Sequence, residues 1–369
     1  MYIASLQLRN FRNYEGIGVD FSERTNLILG DNGRGKTNLL ESIHLLSTSK
    51  SFRHASDEKL IQRGHEGYVV SAAFHGEEGT ESTIALEYRD HRKSLSINGV
   101  RERRISDLIG QIFCVLLSFE DINLVTGPPY LRRGFLDLIL STVDPLYFNA
   151  LKSYMQVIKQ KNRYLRDADI HEGDLLSVWN DQLVKSGFYI LERRIELIAF
   201  FNRFMRSQRE QLKQFSSPLS LIYRSTVPGI GEDGGGEVLM RRFDEMLISR
   251  MDAEMRLRRA VYGPHRDDFS FFDGESEIRY FGSIGEARLS SITLKLAQGA
   301  YYRELRGVLP IILVDDILLE LDTRNRESVL SLFGRDNQFL ITTTERPKLP
   351  EFFSPDRVFH IREKGCIEW

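Results

Sequence analysis

Polar and apolar residues alternate in several short runs of the first hundred residues, a pattern typical of strands with one buried face. These runs are residues 2–8, 17–21, 68–74, 83–88 and 94–97. Asn98-Gly99 follows the last run and is a dipeptide typical of tight hairpin turns. Leu27–Leu29 is a short, wholly apolar run that also predicts a strand. The pattern therefore predicts a β-rich lobe beside a second, more buried sheet.

Helical spacing dominates much of the rest of the chain. One periodic segment begins at Asp144-Pro145, an N-cap residue followed by proline at the first helical position. A second runs from about Leu175 to Leu212, and a third from Val238 to Arg259. The first two long helices in succession predict an antiparallel hairpin that forms an arm. Apolar strands are predicted at residues 112–117, 269–272, 309–314 and 338–341.

A glycine-rich loop joins the strand at Leu27–Leu29 to a helix, and its residues follow the P-loop pattern Gly-x-x-x-x-Gly-Lys-Thr. Glycines let several backbone N–H groups point at one phosphate, and the helix N-terminus adds a positive dipole end. We expect Lys36 to reach the β- and γ-phosphates and the Thr37 hydroxyl to bind Mg²⁺. The alternative is a helix-capping turn that binds nothing. The candidate phosphate-binding residues are Gly30, Asp31, Asn32, Gly33, Arg34, Gly35, Lys36, Thr37 and Asn38.

Arg12 and Asn13 lie in a turn between the first two predicted strands. They come shortly before the P-loop, and their side chains suit either contact with the nucleotide or a solvated turn. We treat both residues as candidate nucleotide contacts.

An acidic pair, Asp315-Asp316, ends the apolar strand at 309–314, which is where α/β folds place metal and catalytic groups. We expect Asp315 to hold Mg²⁺ through water and Asp316 to orient an attacking water, with Lys36 as the third catalytic residue. The hydroxyls of Thr342-Thr343-Thr344 follow the next strand and suit a γ-phosphate sensor. Helix capping is the alternative for the two acidic residues.

Two further sequences suit phosphate contacts. Ser283-Ile284-Gly285 opens a predicted helix, which makes it either a phosphate-binding signature or a simple N-cap. His265 stands in Gly263-Pro264-His265-Arg266-Asp267-Asp268, where it either satisfies a turn or positions a phosphate.

Composition limits the partners of the chain. The 369 residues carry 50 basic and 52 acidic side chains, so any nucleic-acid surface must be a local patch. Cys114 and Cys366 have no metal-ligand spacing, and no apolar run is long enough to cross a bilayer, so we expect a protein of the reducing cytoplasm without membrane contact. The predicted arm is basic, and duplex DNA or solvent are both possible neighbours of Lys159, Lys161, Arg163, Arg166, Arg193, Arg194, Arg203, Arg206 and Arg209.

The P-loop, the Ser283 signature, Asp315-Asp316 and Glu320-Leu321-Asp322 resemble, in order and spacing, the ABC-type ATPases of the SMC and Rad-fifty group. Several further motifs resemble its short-armed RecF family: residues 8–14, Ser51-Phe52-Arg53, Arg132-Arg133-x-Phe135-Leu136-Asp137 and residues 263–267. The likeness implies an α/β fold, with an ABC-type P-loop ATPase head (a mixed sheet with a β-rich lobe) at residues 1–120 and 258–369. A mostly helical short arm would be inserted at residues 121–257.

The resemblance also implies ATP and Mg²⁺ as cofactors and an ATP-dependent, head-to-head homodimer. In such a dimer, Ser283, Gly285 and Asp322 of one subunit would meet the triphosphate held by the other. Members of the family bind duplex DNA and gapped single- and double-stranded junctions, and act with RecR and RecO to load the recombinase. The DNA contacts expected in this chain are Arg193, Arg194, Arg203 and Arg206.

Two departures qualify the resemblance. Glu286 stands where most of the family has glutamine, so its carboxylate either points away from the triphosphate or weakens the closed dimer. Asp316 replaces the usual glutamate, which suits slow hydrolysis used as a timing switch. A P-loop kinase and a transporter ATPase remain alternatives, although a kinase needs no Ser283 signature and a transporter ATPase has no such arm.

Overall fold

The computed structural model describes residues 1–76, 79–166, 173–210, 215–230, 235–320, 323–334, 336–346, 350, 353–362 and 367–368. These residues pack as two compact units. Unit 1 comprises Met1–Asp121 and the chain from Ile292 onward, and unit 2 comprises Ile122–Ser291. The predicted head–arm boundaries lie at residues 120/121 and 257/258, whereas the two compact units divide at 121/122 and 291/292. Residues 258–291 stay with the arm because one of their strands pairs with an arm strand.

Unit 1 contains an antiparallel sheet close to the predicted β-rich lobe. Its strands are β1 (Tyr2–Phe11), β2 (Tyr14–Asp20), β4 (Gly67–His75), β5 (Glu81–Arg89), β6 (Arg92–Ile97) and β7 (Val100–Arg101), in the order β2-β1-β4-β5-β6-β7. Leu8 lies opposite Val70, Val70 opposite Leu86, and Leu86 opposite Leu95. All four side chains are buried, so alternate residues of each strand form one apolar face.

The second sheet of unit 1 is parallel except at one edge. Its strands are β3 (Thr25–Leu29), β8 (Cys114–Leu117), β12 (Ile311–Asp315), β13 (Phe339–Thr343), β14 (Arg357–Ile361) and β15 (Ile367–Glu368), in the order β15-β14-β3-β13-β12-β8. Among the described strands of this sheet, only β15 pairs antiparallel. Helix α1 (Lys36–Thr48) shares one core with both sheets, since Leu40 and Ile43 are buried in the same cluster as Leu86 and Leu340. Helix α10 (Thr323–Phe333) precedes β13.

Unit 2 is mostly helical, with one small antiparallel sheet of β9 (Leu219–Arg224), β10 (Asp268–Asp273) and β11 (Ser276–Glu277). Its helices are α2 (Asn123–Thr126), α3 (Pro129–Val143), α4 (Pro145–Arg166), α5 (Gly173–Ser207), α6 (Gly235–Ser249), α7 (Met251–Leu257), α8 (Ile278–Phe281) and the first turns of α9 (Ile284–Arg306). None of the described helices has both the length and the apolar character needed to cross a membrane.

Helices α4 and α5 form the predicted antiparallel hairpin. Lys161 contacts Asn180 and Tyr147 contacts Arg194, so positions later in α4 meet positions earlier in α5. Two predictions need correction. The single helix predicted over Val238–Arg259 is broken at Arg250 into α6 and α7. Helix α3 was not predicted; Pro129 occupies its first turn, where no backbone donor is needed.

Candidate functional site

The P-loop connects the carboxyl end of β3 to the first residue of α1. Gly33 and Gly35 have φ angles of 80° and 115°, which side-chain-bearing residues rarely adopt. A Cβ at Gly35 would lie 2.5 Å from Asn13 Nδ2, and one at Gly30 would lie 2.8 Å from the Ile361 carbonyl oxygen. The glycines are therefore required both by backbone conformation and by close packing of neighbouring segments.

Lys36 lies across this loop. Its side chain is only 4% exposed, and Nζ donates to the carbonyl oxygens of Gly30 at 2.7 Å and Asp31 at 3.3 Å. The N-terminus of α1 has no side-chain cap and no acidic residue in its first turn. The first N–H groups of the helix therefore keep their affinity for an anion. A buried ammonium beside an uncapped helix N-terminus is an arrangement that binds phosphate.

Asn13 stabilises the loop from the β1–β2 turn. Its Nδ2 donates to the Arg34 carbonyl oxygen at 2.8 Å, and its Oδ1 accepts from Asn38 Nδ2 at 2.8 Å. Tyr14 adds a hydrogen bond from its hydroxyl to the Gly35 carbonyl oxygen at 3.0 Å. Both polar atoms of the Asn13 side chain thus form hydrogen bonds with residues of the P-loop and of helix α1, and these bonds stabilise the loop conformation.

Arg12 likewise binds protein groups. Its Nε and Nη2 donate to the two carboxylate oxygens of Glu41 at 2.8 and 2.7 Å, and its Nη1 donates to the Lys59 carbonyl oxygen at 3.0 Å. Glu41 is fully buried in α1 and also accepts a hydrogen bond from Ser51. No hydrogen bond between Arg12 and residues 30–38 is present among the described residues. Arg12 therefore supports helix α1 through Glu41, and its contact with a nucleotide stays a prediction.

The acidic pair lies at the carboxyl end of β12, and Thr37 meets it. Asp315 Oδ1 accepts from the Thr37 hydroxyl at 2.9 Å and from the Thr342 hydroxyl at 2.8 Å. Burial raises the pKa of Asp315, the two hydroxyl donors oppose that rise, and neighbouring Asp316 adds to it. The Asp315 carboxylate and the Thr37 hydroxyl are hard oxygen ligands, which Mg²⁺ prefers, and they lie next to each other. These two residues therefore fit a Mg²⁺ site.

Asp316 lies close to the Lys36 ammonium. Its Oδ2 lies 3.7 Å from Lys36 Nζ, and its Oδ1 is buried with no hydrogen-bond partner among the described residues. Its φ of 52° is unusual for a residue with a side chain, and its N–H is held by Thr342. Backbone strain and an unsatisfied buried oxygen together are features of functional carboxylates.

The predicted signature lies in unit 2 at the start of α9. The Ser283 N–H donates to Glu286 Oε2 at 2.7 Å, and the Glu286 N–H donates to Ser283 Oγ at 3.2 Å. This reciprocal pair is a capping box. The Glu286 carboxylate is thus directed back to the N–H of its own helix cap. Ser283 and Gly285 remain exposed, as do the neighbouring Phe281 and Ile284. Asp322, the other predicted interface residue, lies outside the described residues.

Comparison with known proteins identifies the family. A family model for the RecF/RecN/SMC N-terminal domain matches residues 2–367. A Symbiobacterium thermophilum protein named DNA replication and repair protein RecF is 37% identical, over 98% of this chain and 97% of its own length. The chain belongs to the RecF family. Another RecF protein, from Thermosynechococcus vestitus, is 36% identical over 97% of this chain and 93% of its own length.

Solved structures agree with this membership. The recombination mediator protein RecF with ATP, from the RecFOR pathway, matches with a TM-score of 0.91 and 27% identity, over 100% of this chain and 97% of that one. An Smc head bound to the C-winged helix domain of ScpA matches with a TM-score of 0.56 at 17% identity, which shows a shared fold. The predicted fold class, an ABC-type ATPase head with an inserted helical arm, is thereby confirmed.

The structure divides the predicted DNA contacts of the RecF arm into two groups. Arg203 and Arg206 are exposed near the end of α5, with Arg203 over the ring of Phe200. Arg194 is 1% exposed and donates to Asp137, Tyr147 and the Pro264 carbonyl oxygen, and so it is a core residue and no DNA contact.

Arg193 and Lys161 also have acidic partners within the arm. Arg193 lies beside Asp144 and Glu196. Lys161 is buried against Glu254. The basic stripe predicted along the arm is therefore partly an internal ion-pair network, because helix faces that are basic in sequence turn toward neighbouring elements.

His265 has the structural role that its turn suggests. One ring nitrogen hydrogen-bonds the Tyr154 hydroxyl at 2.8 Å and the other the Ala260 carbonyl oxygen at 3.2 Å. Burial, helped by the charges of Arg266 and Arg133, lowers the pKa of His265 to about 4 despite the hydrogen bond with the Ala260 carbonyl oxygen. The imidazole is therefore neutral at physiological pH. Both nitrogens are used within unit 2, and the predicted phosphate contact is not what the structure shows.

Glu41 and Arg53 were given no role at the nucleotide site by the sequence prediction, and Thr342 was given a different one. Glu41 was hidden in an apolar helix face, although a carboxylate between Leu40 and Ile43 is itself a signal of a buried ion pair. Arg53 donates to Asn38 Oδ1 at 3.3 Å, which brings a second arginine to the edge of the P-loop helix. The Thr342 hydroxyl donates to Asp315 and accepts from the Asp316 N–H, and its contact with a γ-phosphate stays a prediction.

Proposed function

We propose that this chain is an ATP-dependent DNA-binding protein of recombinational repair and replication restart. ATP closes a head-to-head dimer on duplex DNA or gapped junctions, and slow hydrolysis times its release. The observation that carries the proposal is the presence of two complementary half-sites. One is the P-loop with Lys36, Thr37 and Asp315 in unit 1, and the other is the exposed Ser283-Ile284-Gly285 signature in unit 2.

The first half-site holds the triphosphate. Lys36 and the N–H groups at the start of α1 bind the phosphates, and the open glycine loop lets them approach closely. Thr37 would bind Mg²⁺ directly, Asp315 would hold the ion through a water molecule, and further waters and phosphate oxygens would complete the ligand set. The ion, when bound, neutralises charge on the phosphate oxygens. The ATP that accompanies a solved RecF relative supports this assignment.

The second half-site acts on a partner copy. In a symmetric dimer each signature faces the other copy's P-loop, so two composite sites form at once. Phe281 and Ile284 flank the signature and are 80% and 72% exposed, which provides apolar area that a partner would cover. The Ser283–Glu286 capping box keeps the Glu286 carboxylate on its own helix. This geometry supports closure despite the added negative charge, and Asp322 completes the proposed interface.

Hydrolysis is assigned to Asp316. Its unpartnered Oδ1 is free to accept a proton from water, and its other oxygen lies near Lys36. A shorter carboxylate reaches the attacking water less well than glutamate would, so turnover should be slow and the ATP dimer long-lived. The enzyme is therefore a weak ATPase used as a switch.

Membership of the family supports the proposed partners and location. The curated relatives are named DNA replication and repair proteins, and a solved relative is named for the RecFOR pathway. We accordingly assign RecO and RecR as partners, a cytoplasmic location, and DNA contacts that include Arg203 and Arg206 at the exposed end of α5.

Light scattering tests the composite site. The unmodified chain should shift from monomer to dimer mass with ATP and Mg²⁺, whereas Lys36→Arg and Ser283→Arg should stay monomeric. Ser249→Arg places the same bulk at another exposed serine of unit 2 and should still dimerise. An unchanged mass of the unmodified chain at saturating ATP would disprove the composite site.

DNA binding and timing are tested separately. Gapped, duplex and single-stranded DNA should be compared with and without ATP, and the ATP dimer should bind the duplex-containing DNAs more tightly. Asp316→Asn should trap the ATP dimer on DNA by slowing hydrolysis. Faster dissociation of that variant would contradict the role assigned to Asp316.

A further inference from the structure

Two basic segments of unit 2, distant in sequence, lie side by side. One is the carboxyl end of α4, and the other is the end of α7 with the residues after it. Asn162 Oδ1 accepts from the Ala260 N–H at 2.7 Å, and Lys161 Nζ lies 2.7 Å from Glu254 Oε2. Because both contacts join the same two segments, they hold the end of α4 against residues 254–260.

This junction is built from buried groups. Lys161 and Glu254 are each 1% exposed, and Lys161 also donates to Asn180 Oδ1 at 3.0 Å. The other Glu254 oxygen accepts from the Val261 N–H at 2.8 Å. A buried ion pair supported by further hydrogen bonds is strongly destabilised if one partner is lost, so it fixes the position of the two segments.

Exposed cations surround the buried junction and form what we call the α4–α7 basic surface. Arg166 lies one turn after Asn162, since its Nε donates to the Asn162 carbonyl oxygen at 3.1 Å, and Asn162 is the residue that contacts Ala260. In the part of the chain that the structure describes, no member forms an ion pair, whereas Arg224 and Arg241 of the same unit pair with Glu277 and Glu245. The members are Lys159, Arg163, Arg166, Arg256, Arg258 and Arg259.

Helix capping explains only part of this surface. Cations in the last turn of a helix are favoured by its dipole, which accounts for Arg163, Arg166 and Arg256. Arg258 and Arg259 lie beyond the end of α7, and Lys159 lies before the last turn of α4. Six cations on neighbouring segments, with no acidic partner among the described residues, repel one another, and a polyanion relieves that repulsion.

We infer that the α4–α7 basic surface binds the phosphate backbone of duplex DNA. Five of its six cations are arginines, whose planar forks bind phosphate oxygens in pairs. They come from two segments that are fixed to each other, which suits the regular spacing of phosphates along a duplex. The inference rests on the proposed function and adds the location of a DNA-binding site to it. That site consists of exposed cations and excludes the buried Lys161.

The test compares salt dependence in the full-length chain. Binding of a fluorescent duplex is followed by anisotropy with ATP and Mg²⁺ at several salt concentrations. Each lost phosphate contact should reduce the slope of log Kobs against log salt by about 0.9, so Arg163→Gln/Arg259→Gln should reduce it by about 1.8. Affinity in roughly 0.1 M salt should fall by about tenfold or more. Arg224→Gln/Arg241→Gln removes two ion-paired arginines of the same unit and should leave the slope unchanged.

Folding and the proposed function have independent readouts. ATP-dependent dimerisation, measured by light scattering, should be normal in both double variants. An unchanged slope and affinity in Arg163→Gln/Arg259→Gln would overturn the inference and leave the proposed function intact. Loss of poly-glutamate binding with unaltered duplex binding would assign the surface to an acidic protein segment and also overturn it. Failure of the unmodified chain to bind any DNA would reject the proposed function itself.

Discussion

The buried ion pair between Arg12 and Glu41 gives a stability prediction that can be worked out from the structure. Glu41 has no exposed side-chain surface, and both of its oxygens accept from the Arg12 guanidinium. Arg12→Met preserves most of the aliphatic volume but leaves the carboxylate with the Ser51 hydroxyl as its remaining side-chain donor among the described residues. The change therefore strands a charge inside unit 1, next to the helix that opens the nucleotide site.

Arg12→Met should cause a large loss of stability for a single substitution. Removing one partner of a buried ion pair costs about 3–5 kcal/mol, and we expect about 3 kcal/mol because the Arg12 side chain retains 19% exposure. Arg12→Met/Glu41→Leu removes both charges and should recover most of that loss. The remaining cost is on the order of 1 kcal/mol, for the hydrogen bonds that Ser51 and the Lys59 carbonyl oxygen lose.

Hydrogen exchange with mass spectrometry measures this effect locally. Peptides from α1 report the free energy of opening in unit 1 without assuming that the two units unfold together. Arg89→Met is the matched control, because Arg89 forms an exposed ion pair with Glu66 at 3.7 Å. The control should change the opening free energy by less than about 0.5 kcal/mol. A loss below about 1 kcal/mol in Arg12→Met, or a double variant no more stable than the single one, would refute the reasoning.

Three further predictions concern the site and the arm. Burial raises the pKa of Asp315, and the hydrogen bond from Thr342 opposes that rise. Thr342→Val should therefore raise the pKa of Asp315 further, so that Mg²⁺-dependent ATP binding is lost at a higher pH when the pH is lowered. Calorimetry at several pH values measures this loss, and an unshifted pH profile would contradict the prediction. Because the pKa of His265 is lowered to about 4, below its unfolded value, the stability of unit 2 should fall as pH drops from about 6.5 toward 4. His265→Gln should flatten that dependence in unfolding experiments. Gly35→Ala, at φ 115°, should weaken ATP binding by about tenfold, and wild-type affinity would disprove the strain argument.

The local chemistry of the nucleotide site was readable from the sequence. The P-loop pattern, Thr37 and Asp315 are predicted from contiguous residues, and the structure brings the two side chains to 2.9 Å. Such residues can be selected from the sequence because glycine conformations, helix termini and strand ends are properties of neighbouring residues. The parallel strand order then makes the ends of β3, β12 and β13 meet at one edge of the sheet.

The arm shows where sequence reasoning stops. Arg194 and Arg206 are two arginines of the same helix. Arg194 is buried and Arg206 is exposed, a difference that their residue type does not reveal. Arg163 and Arg259 are distant in sequence but belong to one surface, because Asn162 and Lys161 fasten their segments together.

The sequence by itself thus determined the family, the fold class and the residues that suit a triphosphate, since each depends on short-range patterns of spacing and conformation. Only the tertiary structure decided which charges face inward. Arg12 pairs with the buried carboxylate of Glu41, and the Asn13 amide donates to the Arg34 carbonyl oxygen of the P-loop. Both partners lie elsewhere in the chain. The physical reason is that the cost of burying a charge depends on every group packed around it, and packing is not a property of neighbouring positions.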